Sequence, residues 1–120
     1  MVIDPADPDT RSVGPFFVNP VLDGGALAWP LLASLVRAQE LCRKHGTLLL
    51  CDEIQTGLGR TGKMFGFQHW NLEPDIITLA KSLSGGYVPC GAIVTRREIY
   101  QKTFSRMDRC VVHSTTFGRN

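Results

Sequence analysis

No stretch of this chain is apolar for long enough to span a bilayer, and no block of basic residues is present to neutralise phosphates. Thirteen Lys and Arg stand against eleven Asp and Glu, a formal net charge of +2 spread along the sequence. A transmembrane protein, a membrane-surface binder and a dedicated nucleic-acid binder are therefore not expected. Cysteine is sparse, at positions 42, 51, 90 and 110, and these spacings match neither a C-x-x-C pair nor a zinc ribbon. Cys51 and Cys90 lie in apolar, strand-like surroundings, where a reduced thiol behaves as a small hydrophobe. His45, His69 and His113 are scattered, so no metal site is expected. The opening MVIDPADPDTRS is acidic and Pro-rich, unlike a signal peptide, and the expectation is a soluble, cytoplasmic chain. Internal repeats, low-complexity tracts and an interdomain linker are also lacking.

What is present is enough apolar material, 43% of 120 residues, for one ordinary domain or part of one. Four apolar runs punctuate it: Phe16 to Val18, Thr47 to Cys51, Asp75 to Ala80, and Gly91 to Thr95. Continuous rather than alternating apolar runs predict strands buried on both faces, as in a sheet with helices above and below. Leu31 to His45 places Leu31, Leu32, Leu35, Ala38, Leu41 and Cys42 on one helical stripe, with Arg37, Glu40, Arg43 and Lys44 opposite. Pro30 suits its first turn and Gly46 its stop. Strand, helix, strand in this order predicts a parallel crossover, and Arg97 to Phe104 predicts a second, short helix.

Residues 51–66, CDEIQTGLGRTGKMFG, contain two phosphate-loop patterns at once, G-x-G-x-x-G at Gly57, Gly59 and Gly62, and G-x-x-x-x-G-K from Gly57 to Lys63. The dinucleotide pattern needs an amphipathic helix directly after it. The segment that follows Gly62 is interrupted by Gly66 and carries aromatics at 65, 67 and 70, which makes a poor helix. The mononucleotide pattern needs a hydroxyl after its lysine to meet magnesium, and Met64 has none. Both readings lose to a polar loop, and nucleotide binding stays an outsider.

Asp52 and Lys81 carry more. Each stands just past a buried apolar run, LLLCD and IITLAK, at the strand ends where open α/β sheets collect ligands. A lysine at the lip of an apolar strand loses hydration and becomes a better amine nucleophile. Ser84, Gly85 and Gly86 behind it leave room for a bulky group to approach the backbone. An aldehyde cofactor such as pyridoxal phosphate uses both functions, an amine for the aldehyde and a carboxylate for the pyridinium nitrogen. A surface lysine at a strand end, and a turn cap for Asp52, are the plainer alternatives on spacing alone.

The motifs resemble those of class III aminotransferases. Asp52 to Gly62 is similar to the family signature D-E-V/I-Q-T/S-G-x-G-R-T-G. Glu73 to Gly86 resembles its lysine segment, P-D-I/L followed by K-x-L/I-x-G-G, and His113 to Asn120 resembles H-G-T/S-T-F/Y-G-G-N. The resemblance implies a pyridoxal 5'-phosphate enzyme of fold type I. Residues 1–120 would be part of its cofactor-binding large domain, with 1–14 a poorly defined N-terminal segment. The implied fold is α/β, a mostly parallel sheet of about four strands, the last antiparallel, with flanking helices.

By position, the resemblance makes Lys81 the Schiff-base lysine, Asp52 the partner of the pyridinium nitrogen and Gln55 a hydrogen-bond partner of the ring hydroxyl. Thr116, with Thr115 beside it, matches the threonine that reaches the phosphate of the partner subunit's cofactor, which implies a homodimeric parent. Glu53 and Arg60 are expected to serve as ion-pair and loop residues. The implied reaction moves an amino group between an amine or amino acid and a keto acid or aldehyde. An aminomutase, racemase or decarboxylase on the same site, or a truncated non-catalytic remnant, are the alternatives. The match departs from the family where Asn19, Asp23 and Gly24 stand near its usual V-E-P-x-x-G-E-x-G, and where Ser114 and Arg119 replace glycines. The family's upstream phosphate loop, its ring-stacking aromatic and its carboxylate-binding arginine have no counterpart in these residues.

Overall fold

In the computed structural model, residues 16–18, 22–23, 27–28 and 32–104 are described, so Cys110, His113, Thr115 and Thr116 lie outside the described residues. The elements run β1 (Phe16–Val18), β2 (Leu22–Asp23), β3 (Leu27–Ala28), α1 (Leu32–His45), β4 (Leu49–Asp52), β5 (Ile76–Leu79), β6 (Ala92–Thr95) and α2 (Arg97–Phe104). Two 3-10 turns, Gly66–Trp70 and Lys81–Ser84, lie in the connections on either side of β5.

Helix α1 forms where the apolar stripe predicts it. Leu35, Gln39 and Cys42 are buried along one face, while Arg37, Glu40, Arg43 and Lys44 are exposed. Arg43 and Lys44 stand in its last turn, where cations offset the negative end of the helix dipole. Gly46 then takes a left-handed φ of 65°. Its N–H reaches the Arg43 carbonyl at 3.4 Å and the Thr47 N–H reaches that of Cys42 at 2.9 Å, a Schellman stop that satisfies two orphan carbonyls.

The main sheet has the order β1-β4-β5-β6. β1 and β5 both run parallel to β4, with Val18 opposite Cys51 and Asp52 opposite Thr78. β6 runs antiparallel to β5, pairing Leu79 with Ala92 and Ile76 with Thr95. The connection is consistent with the reversal: residues 80–91 hold a short 3-10 turn and no crossover α-helix of the kind that usually joins parallel strands. The four strands and both helices match the sequence expectation. β2 and β3 add a small antiparallel ribbon, Leu22 opposite Ala28, that the apolar runs did not foretell.

The core lies on one face of the sheet. Val18, Leu49 and Cys51 meet Leu35 and Cys42 of α1, with Trp70 and Leu72 from the β4–β5 connection. Among the described residues, burial on both faces, as expected from the continuous runs, is not what forms. β4 alternates buried and half-buried residues, and Ile93 and Val94 of β6 are 73% and 48% exposed. The physical reason is coverage: α1 and the Gly66–Trp70 turn bring apolar side chains to one face of the described sheet.

Asp75 ties the strand entrances together. Its Oδ2 accepts from the Leu49 N–H at 2.8 Å, its N–H donates to the Leu49 carbonyl at 2.8 Å, and its Oδ1 pairs with Arg96, the residue before α2. Registering β4 and β5 at that end fixes which residues emerge together at the other.

Candidate active site

β4 and β5 are hydrogen-bonded neighbours, so their carboxyl ends open side by side. Asp52, the last residue of β4, points its Oδ1 at the Thr78 hydroxyl, 3.0 Å away on β5, and at the Ile54 N–H, also 3.0 Å. The second bond closes an Asx turn, so Asp52 does cap the turn out of its strand while its carboxylate is fixed against β5.

Beyond β5 the chain breaks sharply. Ala80 is extended, and Lys81 has φ of 47°, the left-handed region that few L-residues adopt. Lys81 opens the 3-10 turn, which is closed by Leu83 N–H on the Ala80 carbonyl and Gly85 N–H on that of Ser82, both 3.1 Å. From there the Lys81 Nζ donates to Gln55 Oε1 at 2.7 Å. An open cleft of about 540 Å³ begins at Lys81 and is walled by Ser84, Gly86, Tyr87, Val88 and Cys90.

The structure therefore brings Lys81 and Gln55 into contact, and sets Asp52 at the adjoining strand end. Lys81 is exposed, which corrects the expected loss of hydration at an apolar strand lip. The apolar strand stops at Leu79, and the left-handed step at Lys81 carries the amine out over the 53–62 loop, where its partner Gln55 is exposed too.

Glu53 corrects a second expectation. It is 1% exposed and, among the described residues, pairs with no cation. Its carboxylate instead collects three neutral donors: the Thr56 hydroxyl at 2.6 Å and Gly66 N–H at 2.8 Å on Oε2, and Phe67 N–H at 2.7 Å on Oε1. One buried side chain thus closes the whole glycine loop. Within it, Gly57 sits so tightly that a Cβ would lie 2.7 Å from the Glu53 carbonyl oxygen. Gly59 and Gly62 have φ of 89° and 87°, turning the chain where a phosphate-binding helix would have to begin. Arg60, at the loop tip, donates from Nε to the Ser82 hydroxyl at 2.6 Å.

Sequence reasoning did not single out Thr78 or Ser82. A hydroxyl interrupting an apolar strand near its end, and another directly after the lysine, were the available signals. Cys51 faces the core opposite to Asp52, and burial together with the Glu53 charge pushes its thiol up to about 12. Among the described residues no group of three His, Cys, Asp or Glu could hold a metal ion, and no helix is long and apolar enough to cross a membrane.

Comparison with known proteins gives the family. The aminotransferase class-III family profile matches residues 7–120. The aminotransferase PigE of Serratia sp. is 42% identical over 106 residues, which are 88% of this chain and 12% of that protein. An (S)-enantioselective omega-transaminase from Thermomicrobium roseum superposes with a TM-score of 0.77 at 38% identity, over 86% of this chain and 23% of its own. The ornithine aminotransferase of Toxoplasma gondii, whose structure shows partial occupancy of PLP at the active site, superposes with a TM-score of 0.76 at 41% identity, over 87% and 23%. The chain belongs to the class III aminotransferase family, and its four-stranded mixed sheet is part of the fold-type I large domain. It spans 12% of the length of the curated relative.

Proposed function

We propose that these residues carry part of the cofactor site of a pyridoxal-phosphate-dependent aminotransferase, within a partial large domain formed by residues 1–120. The parent reaction would move an amino group from an amine or amino acid donor to a keto acid or aldehyde acceptor. The observation that carries this reading is the Lys81–Gln55 hydrogen bond of 2.7 Å at the strand end adjoining Asp52.

The donor set fits the cofactor. Asp52 receives both of its hydrogen bonds on Oδ1, so among the described residues Oδ2 is free of protein donors and can accept from a ring N–H. The Thr78 hydroxyl keeps that carboxylate oriented. Gln55 would bind the ring hydroxyl, and Lys81 Nζ would hold the aldehyde carbon. Thr116, with Thr115, would reach the phosphate bound by a partner subunit in a homodimeric parent. When bound, pyridoxal phosphate supplies the electron sink that makes the substrate α-hydrogen acidic. Lys81, released by the incoming amine, would then move that proton between the substrate α-carbon and the cofactor C4′.

The test is the visible absorbance of the chain mixed with pyridoxal phosphate, repeated on Lys81→Ala. The lysine-bound band is expected in the first and absent from the second. An identical spectrum from the two proteins would refute the assignment.

A further inference from the structure

We infer that Arg60 is a positioning residue for Lys81, acting through Ser82; the inference rests on the functional reading of Lys81 given above. Two bonds join the 53–62 loop to the turn after β5. Gln55 Oε1 accepts from Lys81 Nζ at 2.7 Å, and Arg60 Nε donates to Ser82 Oγ at 2.6 Å. They fall on consecutive residues of that turn, one on the side chain that would do the chemistry and one on its neighbour.

The turn needs such a hold. Lys81 carries φ of 47° with a full side chain, a conformation that persists only where the surroundings over-determine it. The turn's own bonds, among them Leu83 N–H to the Ala80 carbonyl, Gly85 N–H to that of Ser82 and Gly86 N–H to the Ser84 hydroxyl, are all local, and Gly85 and Gly86 beyond it have φ of 64° and 89°. Local bonds hold the shape of a turn that runs into two left-handed glycines, but they do not fix its place against the 53–62 loop. Arg60 supplies that hold with a charge-assisted bond from a planar, fixed fork. The loop that carries Arg60 is itself anchored by buried Glu53, so the hold transmits from the core to the lysine. The arginine of the glycine loop, read from sequence as a loop residue, thereby fixes where the Lys81 amine sits relative to Gln55 and Asp52.

The probe is pyridoxal phosphate with cyanoborohydride on the full chain, read by mass spectrometry as the labelling rate of Lys81 relative to Lys63 in the same molecules. The amine displaces the aldehyde oxygen as water, and the borohydride delivers hydride to the carbon, leaving a stable secondary amine. Lys63, exposed and bonded to the Gln68 carbonyl, is the internal reference. Wild type is expected to label Lys81 preferentially. Arg60→Ala and Ser82→Ala are expected to lower the Lys81 to Lys63 ratio by about five-fold each, with little further loss in the double variant. Ser82→Thr, which keeps the hydroxyl, is expected to retain the wild-type ratio. An unchanged ratio in Arg60→Ala, with Lys81 still preferred, overturns the positioning role and leaves the functional reading intact. No preference for Lys81 in the wild type overturns both. Should Arg60→Ala lose its circular dichroism, the Ser82→Ala and Ser82→Thr pair decides, and equal ratios in those two overturn the inference.

Discussion

Replacing Glu53 tests the claim that one buried carboxylate closes the glycine loop. Its three donors differ in freedom: the Thr56 hydroxyl can rotate to another acceptor, whereas the Gly66 and Phe67 N–H groups are fixed by the backbone. Each buried N–H left without an acceptor costs about 1–3 kcal/mol. Glu53→Ala orphans two, so the closed loop should lose about 2–6 kcal/mol relative to its open form. Glu53→Gln should cost about half as much, because the amide can keep its oxygen at the Oε2 position, facing Thr56 and Gly66, and turn its NH₂ toward Phe67 alone. The assay is amide hydrogen exchange, which reads local opening separately from global unfolding. At about 1.4 kcal/mol per factor of ten, Glu53→Ala should speed exchange at both Gly66 and Phe67 by at least about 30-fold. Glu53→Gln should affect Phe67 more than Gly66. The amide of Leu49, bonded to Asp75 at the far end of β4, is the reference and should change least. Unaltered exchange at Gly66 and Phe67 in Glu53→Ala would refute the argument, as would a Gln variant that harms Gly66 first.

Gly57→Ala should destabilise the chain by about 1–3 kcal/mol in urea unfolding, because the added Cβ meets a backbone oxygen at 2.7 Å. Gly86→Ala meets nothing within 4 Å and should cost only the left-handed strain, about 1–2 kcal/mol, so Gly86 proving the costlier of the two would contradict the packing argument. Of the described thiols, exposed Cys90 should react first with an aromatic disulfide reagent, and buried Cys42 and Cys51 only on unfolding. The Cys51 thiol rises from 9.0 to about 12 on folding, so the unfolded chain loses this proton first. Its contribution is fully present below pH 9.0 and is lost as pH climbs toward 12; stability flat across that window, or lost only in acid, would count against it. Asp75→Ala leaves the buried Leu49 N–H without its side-chain acceptor and should cost about 1–3 kcal/mol, whereas Arg96→Ala, whose side chain is 62% exposed, should cost under about 1 kcal/mol; the two urea midpoints test the difference.

Much of the architecture was legible because it depends on local pattern. The stripe Leu35, Ala38, Cys42 against Arg37, Glu40 and Arg43 specifies a helix over one short window, and Gly46 specifies its stop. The apolar runs locate β1, β4, β5 and β6 to within two residues. Their composition did not reveal that β4 would be deeply buried on one face only. A run of leucines reads the same whether its far side is covered or open, since coverage depends on which distant elements arrive. The β2–β3 ribbon, two residues on each side, was too short to leave any periodicity.

Residue types and their order along the chain name the chemical inventory: an acid at the end of one strand, a lysine after the next, and a glycine loop that lacks the helix and hydroxyl a nucleotide would need. How those groups are held is set by the fold. Thr78 reaches Asp52, Arg60 reaches Ser82, and Glu53 reaches Gly66 and Phe67 across gaps of 13 to 26 residues. A hydrogen bond acts over about 3 Å and carries no trace along the chain of the distance it closes. Residue types can nominate the partners, but only the folded backbone brings one within reach of the other.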